Sequence, residues 1–334
     1  MKTMSSKLFV KRDAGIRGIL KRIMRSNLSI LTILFVFVLI LGSFSSPMFM
    51  QPGNWINILR AGSIVGIIGL GATAILLVGE MDLSMGASMS FVTLAGALSL
   101  KWVPHDSLAI LITLVVAILV GVLNGLLITR LRITAIMATL GTMNLYSGLA
   151  YLLTAGLPIY LYEAPTYLFM GKGLLFGLPV SFLIFLGLSL FMIVILQFTT
   201  FGKKFYFTGA NSLSAWLSGL NTSAIKIIAF AFSGICCAIS GILLGAQTNQ
   251  LIPTLGIGYE LSGIAIAVLG GTMIGGGRGS VIGTFLGTGI YQMLLNILAL
   301  SGLGTYIEQI LRGCMLVIIV VVYASLNKSK EGER

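Results

Sequence analysis

The sequence is poor in charged residues. Only 9% of its 334 residues are Asp, Glu, Lys or Arg, whereas soluble domains carry about 25%. Hydrophobic residues make up 57%, and the mean hydropathy is +1.05. Several stretches run about 20 residues without a charge, the length that crosses a ~30 Å hydrocarbon core. These runs are continuous rather than alternating, so we predict an all-α integral membrane protein that spans a lipid bilayer.

Histidine and cysteine are also scarce. His105 is the one histidine, so the chain has no histidine-based metal site and no Ser-His-Asp triad. Cys236, Cys237 and Cys314 lie in apolar runs and are expected to be small packing residues. The glycine-rich stretch 270–280, GGTMIGGGRGS, lacks the lysine of a phosphate-binding loop. We therefore expect no catalytic residue, no metal and no cofactor in this chain.

Charged residues, prolines and polar clusters divide the chain into about ten apolar segments, which we predict to be transmembrane helices. The segments are 28–46, 57–79, 83–100, 107–129, 133–155, 180–199, 227–247, 262–274, 279–300 and 307–326. The eighth is short and glycine-rich, so it is either a full span or a half-span. An even number of crossings returns the C-terminus to the side of the N-terminus, and we place both in the cytoplasm.

The positive residues determine the predicted sidedness. The net charge of +12 does not indicate a nucleic-acid partner, because the 21 lysines and arginines are not gathered in one soluble domain. With the basic segment 1–27 in the cytoplasm, all of them fall inside except Arg60, Lys101, Lys172 and Arg312. This bias follows the positive-inside rule.

This topology predicts a single membrane domain at 28–326. It lies between the cytoplasmic segment 1–27 and a cytoplasmic tail at 327–334. The long polar connection at about 200–226 falls inside. A signal peptide cleaved after the sequence GSFSS is an alternative interpretation of the first span.

Two acids interrupt a run that has no other charge. Glu80 and Asp82 lie in GEMDLSMGAS, within the otherwise uncharged stretch from Ala61 to Leu100. Asp82 is predicted to cap a helix beginning at Leu83, because a carboxylate accepts hydrogen bonds from first-turn amides and favours the positive end of the helix dipole.

A glycine-rich turn, GGGRGSVIG, occupies the corresponding place later in the chain. Ser280 is predicted to cap the helix that begins near Val281. Because both turns fall on the inner side, we hypothesise that Arg278 pairs with Glu80 or Asp82 at an inner mouth. In the alternative, Asp82 is only a cap, Glu80 a solvated acid and Arg278 a topology determinant.

Four collinear motifs carry a resemblance to a known family. The first, at 57–91, contains GEMDLSMG where family members typically show a G-G-I-D-L-S-V-G core. The others are at 133–156, 201–226 and 258–298. Across nearly its whole length the chain resembles the permease subunits of ribose/galactoside-type ABC importers, which are related to the branched-chain amino acid permeases.

The resemblance implies a type II importer in the cell (inner or plasma) membrane. Two permease subunits, as a homodimer or a related heterodimer, would work with a cytoplasmic ATPase that binds ATP and magnesium. A separate extracytoplasmic binding protein would deliver a monosaccharide or a sugar-like solute. This chain would supply the translocation path and no catalytic site.

The resemblance also implies a cytoplasmic coupling helix that contacts the ATPase. The predicted coupling residues are Asn211, Ala215, Trp216, Leu217, Ser218, Gly219 and Leu220. Asn211 or Ser212 can cap the helix, and Gly219 followed by Asn221 can end it. Ala215, Trp216, Leu217 and Leu220 are expected to form the apolar contact surface, with Trp216 as its anchor. The alternative is an interfacial helix with Trp216 at headgroup depth.

Polar residues in the spans and acids in the outer loops complete the predicted site. The candidates for the path and gate are Glu80, Asp82, Ser84, Asn124, Thr139, Thr142, Asn144, Arg278 and Ser280. A polar residue in a span can instead stabilise helix packing. The acids Glu163, Glu260 and Glu308 are predicted to contact the binding protein, or else to be solvated loop charges.

Two other classes of protein remain open at this point. An ion-coupled secondary transporter of a small polar solute would need ionisable groups inside its spans, and few are present. A structural membrane scaffold would cause no uptake defect when deleted.

Overall fold

A computed structural model describes residues 27–302 together with 307, 310, 313 and 314. The basic residues of the N-terminal segment, most of the tenth predicted span, the C-terminal tail and Glu308 lie outside these residues.

The described chain is almost entirely α-helical. In chain order the helices are α1 (Asn27–Ser45), α2 (Pro52–Leu77), α3 (Met85–Leu98), α4 (Asp106–Thr129), α5 (Ala135–Thr154), α6 (Pro165–Lys172), α7 (Val180–Phe198), α8 (Thr200–Ala210), α9 (Ser212–Leu217), α10 (Thr222–Thr248), α11 (Tyr259–Leu269) and α12 (Val281–Leu300). A 3-10 turn, Ser99–Lys101, follows α3.

Four two-residue strands form two small antiparallel pairs. In one pair β1 (Ile159–Tyr160) lies against β4 (Gln250–Leu251), and in the other β2 (Leu174–Leu175) lies against β3 (Leu178–Pro179). The first pair ties the long connection after α5 to the end of α10.

Seven of these helices are long and apolar enough to cross a membrane: α1, α2, α4, α5, α7, α10 and α12. Many large apolar side chains on them are exposed, among them Ile33, Leu119 and Phe191. Side chains of this kind suit contact with lipid, where the backbone of a helix needs no outside partner. The predicted multi-pass helical membrane protein is therefore confirmed, while the number of ten crossings stays a prediction.

Helices α3 and α11 are too short to cross alone. With 14 and 11 residues, they are about 21 and 16 Å long, against a ~30 Å hydrocarbon core. The third predicted segment, 83–100, is helical from Met85 through the 3-10 turn that ends at Lys101, but its α-helical part is only 14 residues long. Residues 78–84 lead to α3 without helix, and 249–258 lead to α11. The 11 residues of α11 favour the half-span among the two alternatives for the eighth segment.

The long helix α2 forms the centre of the fold. It contacts α7, α10, α11 and α12, while α10 also contacts α4 and α3. The core around α2 includes Ile67, Leu70 and Cys236, none of which is exposed. Cys237 is buried as well, whereas Cys314 is exposed. We call the end where α2 finishes, at Leu77, the inner end, which is the predicted cytoplasmic side.

Candidate functional site

The turn between α2 and α3 buries an acid. The side chain of Asp82 is only 6% exposed, and its Oδ1 accepts hydrogen bonds from the backbone N–H of Ser84 at 2.8 Å and from Ser84 Oγ at 2.6 Å. The helix begins at Met85 rather than Leu83, and its N-cap residue is Ser84. Asp82 therefore orders the turn before the helix, and the prediction that it caps a helix starting at Leu83 was wrong.

Ser84 continues into a buried polar network between α4 and α5. Asn124 donates from Nδ2 to Ser84 Oγ at 2.9 Å, and its Oδ1 accepts from the hydroxyl of Tyr146 at 3.1 Å. Thr139 Oγ1 accepts from the N–H of Leu83 at 3.2 Å. The network joins the turn after α2 to α4 and α5.

The remaining two polar residues predicted for the path lie outside this network. Thr142 is buried and bonds to the carbonyl of Thr139 in its own helix. Asn144 is exposed and bonds to the carbonyl of Leu140. The structure thus links the side chains of Asp82, Ser84 and Asn124 by hydrogen bonds, and Thr139 joins them through the backbone N–H of Leu83. This arrangement matches the alternative in which polar span residues stabilise packing.

The N-termini of α3 and α11 meet in the interior. The N–H of Gly256 donates to Ser90 Oγ at 2.9 Å. A Cβ on Gly86 would clash with the carbonyl oxygen of Gly256 and with Glu260 Oε2. Only glycine permits this approach. Two half-helices that begin inside the membrane domain leave irregular backbone there, an arrangement typical of transport proteins.

This meeting point corrects the prediction for Glu260. Gly86 lies twelve residues before the end of α3, so the Glu260 carboxylate is about 18 Å below the outer end of that helix. The Glu260 Oε1 also accepts from the N–H of Gly258 at 3.2 Å. The structure thus corrects the outer position predicted for Glu260, while its contact with a binding protein stays a prediction.

At the inner end, three segments meet through closely packed backbone. The N–H of Gly277 donates to the carbonyl of Leu77 at 3.0 Å, and the Tyr206 hydroxyl of α8 donates to the carbonyl of Gly279 at 3.2 Å. A Cβ on Gly209 would clash with the Leu77 carbonyl. Burial raises the pKa of Tyr206, so it stays a neutral donor. We call this meeting of the end of α2, the end of α8 and the turn before α12 the inner junction.

The turn before α12 has the predicted cap but not the predicted ion pair. Ser280 Oγ accepts from the N–H of Gly283 at 3.2 Å, which confirms the cap. Glu80 instead pairs with Lys226 in the first turns of α10, with 2.6 Å between Oε1 and Nζ. Among the described residues Arg278 is in no ion pair and is exposed. Arg278 therefore does not pair with Glu80 or Asp82 in this structure. Glu80 pairs with Lys226 instead, and Asp82 accepts hydrogen bonds from Ser84.

The predicted coupling segment forms the short helix α9. Asn211 Oδ1 accepts from the N–H of Ser214 at 2.9 Å, and Gly219 has a positive φ of 84°. Both observations fit the predicted start and end. Trp216 is 62% exposed, but Ala215 is 5% exposed and lies beneath the helix.

The exposed apolar surface of α9 therefore differs from the prediction in two residues. Ala215 does not belong to it, because it packs inward. Leu213, which was not predicted, is 65% exposed beside Trp216 and Leu217, whereas Leu220 is only partly exposed. Ser218 is exposed and bonds to the carbonyl of Ser214.

Polar contacts also connect the outer segments. Asp106 accepts from the N–H and the hydroxyl of Thr166, at 2.6 and 2.7 Å. Lys172 Nζ donates to Asn249 Oδ1 at 2.7 Å. Glu163 is exposed at this end, where the prediction placed it.

Sequence reasoning missed Tyr146 and Lys226. Both interact with residues that were predicted, yet their partners lie 22 and 146 positions away. No local pattern marks either pair.

The fold and these contacts define a multi-pass membrane transport domain built around two half-helices. The family model described as branched-chain amino acid transport system / permease component matches residues 54–320, and the chain belongs to this family. It is a protein of the cell membrane.

Several relatives match along most of the chain. The ribose import permease protein RbsC of Bacillus subtilis is 34% identical over 86% of this chain and 90% of its own. RbsC of Escherichia coli K12 is 31% identical over 92% of this chain and 97% of its own. The autoinducer 2 import system permease protein LsrC of Yersinia enterocolitica is 33% identical, with 92% and 84% covered. No solved structure gave a significant match.

Proposed function

We propose that this chain is the permease subunit of an ATP-driven importer and forms the path for a monosaccharide or a sugar-like solute. Relatives named for the import of ribose and of autoinducer 2 match it along most of its length. Their names support the class of solute and do not select one member of it.

The observation that carries the proposal is the connection between α9 and the inner junction. Helix α9 exposes Leu213, Trp216 and Leu217 at the predicted cytoplasmic side, and α8, which immediately precedes it, packs through Gly209 against Leu77. A cytoplasmic ATPase that pushes on α9 would therefore move α8 against the end of the central helix. In this proposal ATP and magnesium are bound by the ATPase.

Two further partners complete the proposed importer. A second permease subunit, identical or related, would form the other half of the path. An extracytoplasmic binding protein would release the solute at the outer end, where Glu163 is exposed. We also propose that Glu80, Asp82, Arg278 and Ser280 act near the inner gate.

The experiment is uptake by membrane vesicles that contain the chain with its ATPase and binding protein. Labelled D-ribose, D-xylose, D-galactose and autoinducer 2 are offered with ATP, without ATP, and with a proton or sodium gradient alone. We expect uptake of at least one solute that requires ATP and both partners. Uptake driven by an ion gradient alone would instead indicate a secondary transporter.

A further inference from the structure

A cavity lined by both polar and apolar residues opens in the outer half of the molecule, beside the central helix. Its volume is about 290 Å³, close to the lower limit of small-molecule sites, roughly 300–1,000 Å³. Helices α2, α10, α11 and α12 form its walls. Its polar lining includes the side-chain amides of Asn57, Gln247 and Gln292, on three different helices.

The amide groups in these walls lack partners. Nε2 of Gln247 is buried without a hydrogen-bond partner. A buried donor without a partner costs about 1–3 kcal/mol, so it is expected to have one in the working protein. Asn57 is exposed and Gln292 partly exposed, and among the described residues neither side chain makes a hydrogen bond to another residue. A side-chain amide offers both a donor and an acceptor, which matches the dual character of a hydroxyl group.

Other polar groups around the cavity are already paired. Asn54 and Asn296 exchange two hydrogen bonds between their side-chain amides, at 2.9 and 2.8 Å. The hydroxyls of Ser262 and Tyr291 lie 3.1 Å apart. The first pair joins α2 to α12, and the second joins α11 to α12. The unpaired amides therefore lie on helices whose relative positions are fixed by hydrogen bonds.

A second cavity, of about 370 Å³, adjoins the first and shares Asn57 and Gln247 with it. Arg60 and Lys172 line it, and a guanidinium N–H of Arg60 donates to the carbonyl of Lys172. Arg60 Nε is buried without a partner. Among the described residues, neither cavity is lined by Asp or Glu. The lining therefore offers neutral amides and donors, and it lacks a carboxylate that would hold a coupling cation.

We propose that this cavity is the outer solute site of the translocation path and that it takes a neutral polyhydroxylated solute of monosaccharide size. Gln247, Gln292 and Asn57 would exchange hydrogen bonds with its hydroxyl groups. This inference rests on the proposed function and deepens it, because it locates the outer part of the path beside Gln247 and Gln292.

The first test is the accessibility of single cysteines in whole cells. In a chain whose three cysteines have been replaced, Gln247→Cys and Gln292→Cys are treated with a charged, membrane-impermeant thiol reagent from outside. Ser84→Cys, in the buried network, and Leu111→Cys, on an exposed apolar face of α4, are the controls. We expect modification at positions 247 and 292 and not at the controls. Absence of modification at both positions would overturn the proposed site, whether or not the protein is an importer.

The second test is uptake by the complete transporter, with labelled D-ribose, D-xylose and D-galactose as probes. Loss of one amide hydrogen bond is expected to lower uptake of the transported sugar about fivefold in Gln247→Leu and in Gln292→Leu. Gln197→Leu, an exposed glutamine at the inner end of α7, is the matched control and should retain full uptake.

The outcomes separate the two proposals. If the wild type transports a sugar and both glutamine variants equal the Gln197→Leu control, the outer solute site is overturned while the importer stands. If the wild type transports none of the three sugars, the monosaccharide site is overturned, whereas the proposed importer is overturned only if autoinducer 2 is not taken up either.

Discussion

Glu80 and Lys226 form an ion pair that joins the end of the central helix to the beginning of α10. The two charged atoms are 2.6 Å apart, and the side chains are 15% and 19% exposed. Because α9 immediately precedes α10, this pair lies between the proposed coupling helix and the turn that contains Asp82. It is the only ion pair between side chains in the part of the chain that the structure describes.

Breaking this pair should destabilise the inner end. Glu80→Gln and Lys226→Met each remove one charge of a largely buried pair, which is expected to cost about 1–3 kcal/mol. Thermal unfolding of the purified protein in detergent measures the effect. The exchanged pair, Glu80→Lys with Lys226→Glu, should recover part of the loss. The ion pair would be unimportant if the exchanged pair were no more stable than the less stable single variant.

The close approach at the inner junction gives a second prediction. In Gly209→Ala the new Cβ would clash with the Leu77 carbonyl and lie 2.5 Å from the N–H nitrogen of Gly277. Helix α8 must then shift, and we expect uptake to fall at least about tenfold while the chain still reaches the membrane. Gly275→Ala, in the neighbouring turn, has open space around its Cβ and should be neutral. Equal uptake in the two variants would contradict transmission through this junction.

Local signals explain which parts of the site the sequence could predict. Asn211 and Ser280 precede their helices directly, and each cap depends only on a residue three positions later. The Glu80 to Lys226 pair has no such signal, because it depends on the packing of α10 against the central helix. The proximity of the two inner turns was predicted correctly from the topology. The topology does not determine whether Arg278 or Lys226 pairs with Glu80.

Depth in the membrane was harder to predict than the presence of apolar segments. Residues 83–100 have the composition of a full span, yet the α-helix α3 has only 14 residues, between a turn that Asp82 stabilises and a 3-10 turn. Hydropathy reports that a segment is apolar and does not report where in the membrane its helix begins. The position of Glu260 was misjudged for the same reason, since α11 starts in the interior.

The exposed surface of α9 gives a third prediction. Trp216→Glu should leave the chain in the membrane, because this side chain is 62% exposed, and should abolish binding of the ATPase and uptake. Copurification with the tagged ATPase measures binding directly. Trp102→Glu, whose side chain is 82% exposed on the outer side, is the matched control and should bind the ATPase normally. Normal binding by Trp216→Glu would favour the interfacial helix instead.

The buried network predicts different roles for two asparagines of the original path set. Asn124→Leu removes the partner of both Ser84 and the Tyr146 hydroxyl, and leaving buried polar groups unpaired is expected to cost about 1–3 kcal/mol. Asn144→Leu changes an exposed side chain that bonds only within its own helix, so it should cost less than about 0.5 kcal/mol. Unfolding temperatures in detergent, measured alongside uptake, compare the two. If Asn124→Leu lowered uptake with no loss of stability, Asn124 would be a path residue rather than a packing residue. The path would then pass through the buried polar network.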